Sequence, residues 1–305
     1  MDETVSGHFC QSHELKTGFC ERRRRVPDLE QCLWFAPFLI FDYSAGVFSL
    51  QGVGQWLLGG VSILGKMTCF GARALLRVGS GQSLGPRLVR SLFELGIRCL
   101  PVIGIVSLFS GLVLGLQGHY VLSRFGASGM LGTLVSLSLC RELAPVLAAV
   151  MVAGQAGTAM AAELGIQRST EQIDALELMG ISAEGYWVGP RLLTACFVFP
   201  VLTALFAIIG MVGGWLSGCL LLHQDSHGYW SAVHSAIQPK DISECLTKAL
   251  VFGLLTVCMC AFQGFYAHLL GEAGARAVGA ASVRGVVLSC IAILASDYII
   301  TALLV

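Results

Sequence analysis

The chain has 305 residues, 55% of them hydrophobic and 12% charged, with a formal net charge of zero. A mean hydropathy of +0.75 leaves too little polar surface to coat a soluble globule, so the composition is that of an integral membrane protein. Zero net charge gives no bulk attraction to nucleic acid, and no segment shows the roughly 10-residue alternation of a membrane barrel strand. An all-α integral membrane protein remains.

Residues 1–31 are polar, and Arg22-Arg23-Arg24-Arg25 precedes CLWFAPFLIF without a small-residue cleavage site, so no cleavable signal is expected. His8, Cys10, His13 and Cys20 match no zinc spacing and read as part of a polar tail. The 12 cysteines are otherwise scattered through apolar runs and read as packing residues. The run 32–50 is apolar but interrupted by Pro37 and Asp42, and reads as interfacial or loosely structured rather than spanning. From about 51 to 80, Trp56, Leu57, Leu58, Ile63, Leu64, Phe70 and Leu75 alternate with Lys66, Arg73 and Arg77. That is the pattern of a helix lying in the membrane interface, with apolar side chains in lipid and cations at the headgroups.

Five spans follow, at 97–118, 131–162, 191–222, 246–270 and 285–305. The predicted organisation is an N-terminal extension over 1–45, an interfacial amphipathic region over 46–96 and a five-span domain over 97–305. Gly111 and Gly115 in the first span form a small-xxx-small pair suited to close helix contact. The second span, with Arg141, Glu142 and Pro145, is too long to be straight and regular. The stretch HQDSHGYWSAVHSAIQPKD after the third span reads as a polar loop.

Up to Arg98 there are 11 Lys and Arg, and the loops with Arg168, Arg191, Arg276 and Arg284 add four. The opposite side has Arg124, Lys240 and Lys248. The excess assigns the N-terminus and the 163–190 loop to the cytoplasm.

Two features carry chemistry. Arg141 and Glu142 lie in apolar sequence, where a charge costs about 2.5–3.5 kcal/mol on insertion scales. As neighbours they point roughly 100° apart on a helix and cannot share one partner. Pro145 frees the carbonyl near Arg141, adding a polar group at that level. Asp297 is the other deep acid, with either a neighbouring helix or outer water as its partner. In the 163–190 loop, TEQIDALELMG predicts a short helix from Thr170 to Met179. Ser169 and Gln172 give a capping-box pattern, and Gly180 suits the C′ position. Glu171, Asp174 and Glu177 line one face and Ile173, Leu176 and Met179 a neighbouring one, as on a docking helix.

Two catalytic look-alikes fail. Gly60 to Lys66 approximates a phosphate-binding loop, but Met67 replaces the magnesium-binding hydroxyl and no strand precedes it. Gly126-Ala127-Ser128-Gly129 approximates the serine motif of intramembrane rhomboid proteases, with His268 as the conceivable base, but Ser128 falls in an outer loop.

The segments GLVLGLQG (111–118), RELAPVLAAVMVAG (141–154) and AAELGIQRSTEQIDALELMG (161–180) together resemble the MlaE-type (YrbE-type) permease family. The likeness runs from about residue 46 through GWLSG (214–218) and GARAVGAASVRGVV (274–287) to the terminal SDYIITALLV. Such a resemblance implies the permease subunit of an ABC transporter moving phospholipid between a bacterial inner membrane and a periplasmic lipid-carrier system for outer-membrane lipid homeostasis. The same resemblance implies a homodimer, two cytosolic ABC ATPase subunits and a periplasmic protein with a mammalian-cell-entry domain. On that picture Leu114, Val121, Phe125, Arg141, Glu142 and Leu143 match positions near a central phospholipid cavity. Thr170, Glu171, Gln172, Asp174, Leu176, Glu177 and Met179 match the helix that couples to the ATPase. No catalytic residue, metal or cofactor is expected in this chain, ATP and magnesium being bound by the partner. Gln155 departs from the Arg common in the family. The alternative function is a membrane scaffold that anchors an ATPase and a periplasmic lipid-binding protein without its own transport path.

Overall fold

The structure, a computed structural model, describes residues 65–78, 84–270 and 274–304. The expectations for the extension 1–45, the His8–Cys20 cluster, the run 32–50 and the interfacial stretch up to Leu64 lie outside the described residues. Residues 64–305 form one compact unit.

All regular elements in the described residues are helical. Helix α1 covers 65–76. The first span, Leu84–Arg124, joins α2 (Leu84–Leu92) to α3 (Leu100–Arg124) through a π turn at Phe93–Ile97. The second, Ser128–Ser169, contains α4 (Leu131–Ser138), α5 (Ala144–Val152) and α6 (Thr158–Ser169), separated by π turns at Leu139–Leu143 and Ala153–Gly157. A short α7 (Gln172–Leu178) leads to α8 (Gly189–Trp215), flanked by π turns at Glu184–Val188 and Leu216–Leu221. Then come α9 (Ser226–Ala236), α10 (Pro239–Phe265) and α11 (Ala275–Leu304). Five of these segments are long and apolar enough to cross a membrane, in the order the sequence predicts.

Four of the five π turns have identifiable causes. Those at Phe93–Ile97, Leu139–Leu143 and Glu184–Val188 each precede a helix with proline in its first turn: Pro101, Pro145 and Pro190. Proline supplies no N–H to the carbonyl four residues earlier, and the ladder loosens there. The Ala153–Gly157 turn is glycine-rich instead. The Thr158 hydroxyl donates to the carbonyls of Gly154 (2.7 Å) and Gln155 (2.9 Å), satisfying groups at the irregularity.

Helices α3 and α8 cross along a strip of small residues. A Cβ on Gly111 would strike the backbone carbonyl of Gly210, and one on Gly115 would meet Gly214 and the Ser217 hydroxyl. Where the backbones touch, Ser107 Oγ donates to the carbonyl of Phe206 at 2.6 Å. Small residues allow this contact, and with lipid as apolar as the helices themselves, close packing and such hydrogen bonds drive association.

Two expectations change. Phe70 does not face lipid: it is fully buried, with its ring 5.7 Å from Phe262 and 5.6 Å from Phe265, so α1 packs on the end of α10. The predicted polar loop contains α9, capped by Asp225, whose carboxylate accepts from the backbone N–H groups of His227 and Gly228. Tyr229 and Val233, four residues apart, bury one face of α9, and the Tyr229 hydroxyl donates to the carbonyl of Met211 at 3.0 Å.

Gly111→Ala is expected to cost about 1–3 kcal/mol, the range for overpacking a tight contact, read as a lower unfolding temperature in detergent. Gly85→Ala, with nothing near its Cβ position, should leave that temperature unchanged or slightly raised.

Candidate functional site

The irregular turn Leu139–Leu143 gives Arg141 and Glu142 separate partners, both on α10. Arg141 Nε donates to Asp241 Oδ1 at 2.8 Å, and its Nη2 lies 2.6 Å from the same oxygen. Asp241 is itself fixed, because its Oδ2 accepts the backbone N–H of Gln238 at 2.9 Å in the capping box that starts α10. Two turns further on, Lys248 Nζ reaches both carboxylate oxygens of Glu142 at 3.1 Å. The same ammonium donates to the carbonyl of Arg141 at 2.9 Å and to Thr301 Oγ1 at 2.7 Å, and pairs with Asp297 Oδ1 at 2.9 Å. The carbonyl freed by Pro145 is thus taken up by a lysine on another span.

Lys248 is 2% exposed. A charge so buried is tolerable only with good partners, and three carboxylates surround the two cations here. Arg141 and Glu142 each remain nearly half open on their other sides. A polar level therefore ties the second, fourth and fifth spans together and still presents one cation and one anion to a ligand.

At the end predicted to face the cytoplasm, α7 is held by a different set of bonds. Arg168 Nη1 donates to Asp174 Oδ1 at 2.7 Å, and Arg168 Nε donates to His268 Nδ1 at 3.3 Å. Burial and the adjacent Arg168 push the His268 imidazole below its ordinary value. Neutral at pH 7, the ring can offer Nδ1 as an acceptor. Ile173 is fully buried beneath the helix, Leu176 is half-buried, and Leu178 and Met179 stand out at 90% and 66% exposure. Gly180 closes α7 at φ 78°, with Gly180 N–H on the Glu177 carbonyl and Ile181 N–H on that of Leu176, the two bonds of a Schellman end.

The start of α7 differs from the capping-box pattern. Ser169 belongs to the last turn of α6 and its hydroxyl donates back to Ile166. Thr170 does likewise, and Glu171, at φ 58°, makes the corner. Helix α7 therefore begins at Gln172, and Glu171 and Glu177 are exposed beside Asp174.

Of the proposed cavity residues, Arg141 and Glu142 share the network, and Leu143 closes the same turn. Leu114 and Val121 lie along α3 and Phe125 caps its end, with Val121 and Phe125 exposed, and none of them bonds to the network. Sequence reasoning missed Asp241 and Lys248, which it placed in or beside an outer loop. The signal was present: Gln238-Pro239 with Asp241 at N3 starts the helix seven residues before 246 and carries Lys248 inside it. Asp297 finds its partner on a neighbouring helix. The serine-protease look-alike has no geometry: Ser128 opens the second span, while His268 bonds Arg168 at its far end, about 60 Å along the helix.

Five apolar spans closed around buried ion pairs define a multi-pass helical membrane protein, and among the described residues no group of three or more His, Cys, Asp or Glu could hold a metal. The family model described as Permease MlaE matches residues 88–303, and the chain belongs to that family of ABC transporter permeases. A probable ABC transporter permease protein of Rickettsia conorii is 42% identical over 216 residues, covering 71% of this chain and 82% of the relative. The intermembrane phospholipid transport system permease protein MlaE of Haemophilus influenzae is 36% identical over 256 residues, 80% of this chain and 97% of its own. Similarity extends to the chloroplast protein TRIGALACTOSYLDIACYLGLYCEROL 1 of Arabidopsis thaliana, 27% identical over 84% of this chain and 71% of that protein.

Lys248→Met removes the cation from two carboxylates. Breaking a buried pair costs about 3–5 kcal/mol, and because Glu142 is half open the lower part of that range is expected, seen as a depressed unfolding temperature in detergent. Asp297→Asn in the same chain should recover part of the loss, since the second change removes the more buried of the two acids left unpaired.

Proposed function

We propose that this chain is the membrane subunit of a phospholipid ABC transporter in a bacterial inner membrane. Two copies would pass lipid through their shared centre, to or from a periplasmic protein with a mammalian-cell-entry domain. The carrying observation is α7: a short helix pinned by Arg168 and closed by Gly180, with Leu178 and Met179 held out with nothing over them. Rigid exposed apolar side chains beside Glu171 and Glu177 suit insertion into a groove on a cytosolic ATPase. ATP and magnesium would be bound by that subunit. The orientation follows from the Lys and Arg count, which puts α7 in the cytoplasm.

For lipid, the supporting chemistry is the half-open pair Arg141 and Glu142 at the edge of apolar walls. Arg141 uses Nε and Nη2 on Asp241, and its Nη1 bonds nothing among the described residues, leaving a donor for a phosphate oxygen. Leu114, Val121, Phe125 and Leu143 would line the acyl path. The outer faces of α3 and α11, rich in exposed Ile, Leu, Val and Phe, are what a second copy and lipid would cover. The name of the Haemophilus relative supports the substrate class.

In the complex with its ATPase, Leu178→Asp combined with Glu171→Lys should reduce lipid-stimulated ATP turnover at least tenfold while the permease keeps its fold. Photo-crosslinkers at Leu114 and at Glu142 should capture phospholipid. Unchanged turnover together with no captured lipid would overturn the reading.

A further inference from the structure

A second charged cluster lies near the other end of the bundle. Arg90 on α2 donates to Glu94 Oε1 at 2.9 Å and to Glu163 Oε1 on α6 at 3.3 Å. Arg191, in the first turn of α8, bonds Glu163 through Nη2 and lies 3.9 Å from Glu94 Oε2. These side chains, with Arg98 and Gln155, line a cavity of about 440 Å³ whose remaining wall includes Leu95, Ala156 and Met160.

Three features of the cavity point to an anion. Arg191 is 5% exposed, and its Nη1 is buried with no hydrogen-bond partner. A guanidinium N–H shut away from water is rarely left without an acceptor. Arg98 also lines the cavity, and among the described residues its guanidinium forms no ion pair. Three arginines face two glutamates, so the cavity holds one positive charge in excess, beside the Gln155 amide.

We propose that this cavity binds the phosphate of an anionic ligand, with the guanidinium groups of Arg191 and Arg98 as the donors that hold it. A planar guanidinium suits phosphate oxygens, and burial of Arg191 strengthens its bond by excluding water, while Arg98 reaches the cavity from its exposed side. The volume is in the range of small-ligand pockets and accommodates more than a bare phosphate. The apolar wall of Leu95, Ala156 and Met160 favours a phosphate that carries an apolar group, as in an acidic phospholipid. Free phosphate shares the same recognition chemistry. The site is separate from the Arg141 and Glu142 level and goes beyond the transport reading. The π turns Phe93–Ile97 and Ala153–Gly157 supply Glu94 and Gln155 to its wall, so an occupant would bridge the two irregular points of the first and second spans.

The test uses the full chain in phosphatidylcholine nanodiscs with phosphatidylglycerol titrated in, and reads by native mass spectrometry how much phosphatidylglycerol each chain retains. Gln155→Glu places an anion in the cavity without touching an ion pair, and should weaken retention at least tenfold. Gln155→Arg should strengthen it several-fold, and Arg98→Gln should weaken it. Displacement of phosphatidylglycerol by millimolar inorganic phosphate would identify free phosphate as a competent ligand. Retention that phosphate does not disturb would identify the lipid headgroup as the source. Equal retention by the native chain, Gln155→Arg and Arg98→Gln would overturn the proposal, even if Gln155→Glu fails to fold. Binding is read without ATPase or transport. A chain that moves no lipid can therefore still fill this pocket, and a chain with an empty pocket can still transport.

Discussion

A lysine ammonium inside a helix bundle must bring its counter-ions with it, and Lys248 takes them from two other spans. Glu142 on the second span, Asp297 and Thr301 on the fifth, and the Arg141 carbonyl all converge on one nitrogen. Apolar packing between helices in lipid gives little directional preference, because sliding one helix along another exchanges similar contacts. A buried cation with four anchored acceptors gives a strong one. Shifting the fourth span by one residue would separate Lys248 from Glu142 and Asp241 from Arg141 together, since both pairs lie between the same two spans. This level therefore fixes the register of three spans, and the glycine strip between α3 and α8 fixes the first span against the third.

The charges also measure the membrane. Between Glu142 and Glu163, residues 143–162 carry no ionised group, and about 20 helical residues rise about 30 Å, the thickness of the hydrocarbon layer. Glu163 belongs to the cluster with Arg90 and Arg191, so the second span has a charged layer at each boundary and an uncharged stretch between them. The initial difficulty of two charges in apolar sequence is thereby reduced. Arg141 and Glu142 lie at one end of the uncharged stretch rather than in its middle, and α4 continues beyond them to pack against α9.

Much of this was legible in the sequence. The number and order of the spans followed from apolar length, the close crossing from Gly111 and Gly115, the irregular second span from Pro145 and its excess length, and the end of α7 from Gly180. Divergent partners for Arg141 and Glu142 followed from helix geometry alone. What was not legible depended on pairing across the fold. Lys248 was counted among outer cations because hydropathy places the start of the fourth span at 246. The cap at Gln238 and Asp241, a polar signal within a polar stretch, moves that start outward. Arg191 looked like an ordinary loop cation for the same reason: its burial is created by Glu94 and Glu163, which lie 97 and 28 residues earlier in the chain. Phe70 fits an interfacial pattern equally well facing lipid or protein, and only the aromatic cluster at the end of α10 decides between them.

Between the two charged layers, the second span is weakest at the glycine-rich π turn Ala153–Gly157. Above it, α5 is locked to the fourth span through the Lys248 level. Below it, α6 carries Glu163 in the Arg191 cluster and continues through Arg168 to α7. A force applied at Leu178 and Met179 would reach α6 directly, because Arg168 and the buried Ile173 make α7 and α6 one body. Between the two layers on this span, only the turn at 153–157 departs from α-helical bonding, so bending there disturbs the fewest bonds while the layers stay intact. Gly157 restricts the direction of that motion. A Cβ at this position would come within 2.7 Å of Cys260 Sγ, so the turn is pressed against the fourth span on one side, whereas Gly154 and Gln155 are open on the other. The open side leads to Gln155 in the wall of the Arg191 cavity, so the irregular turn faces the cavity on one side and the fourth span on the other.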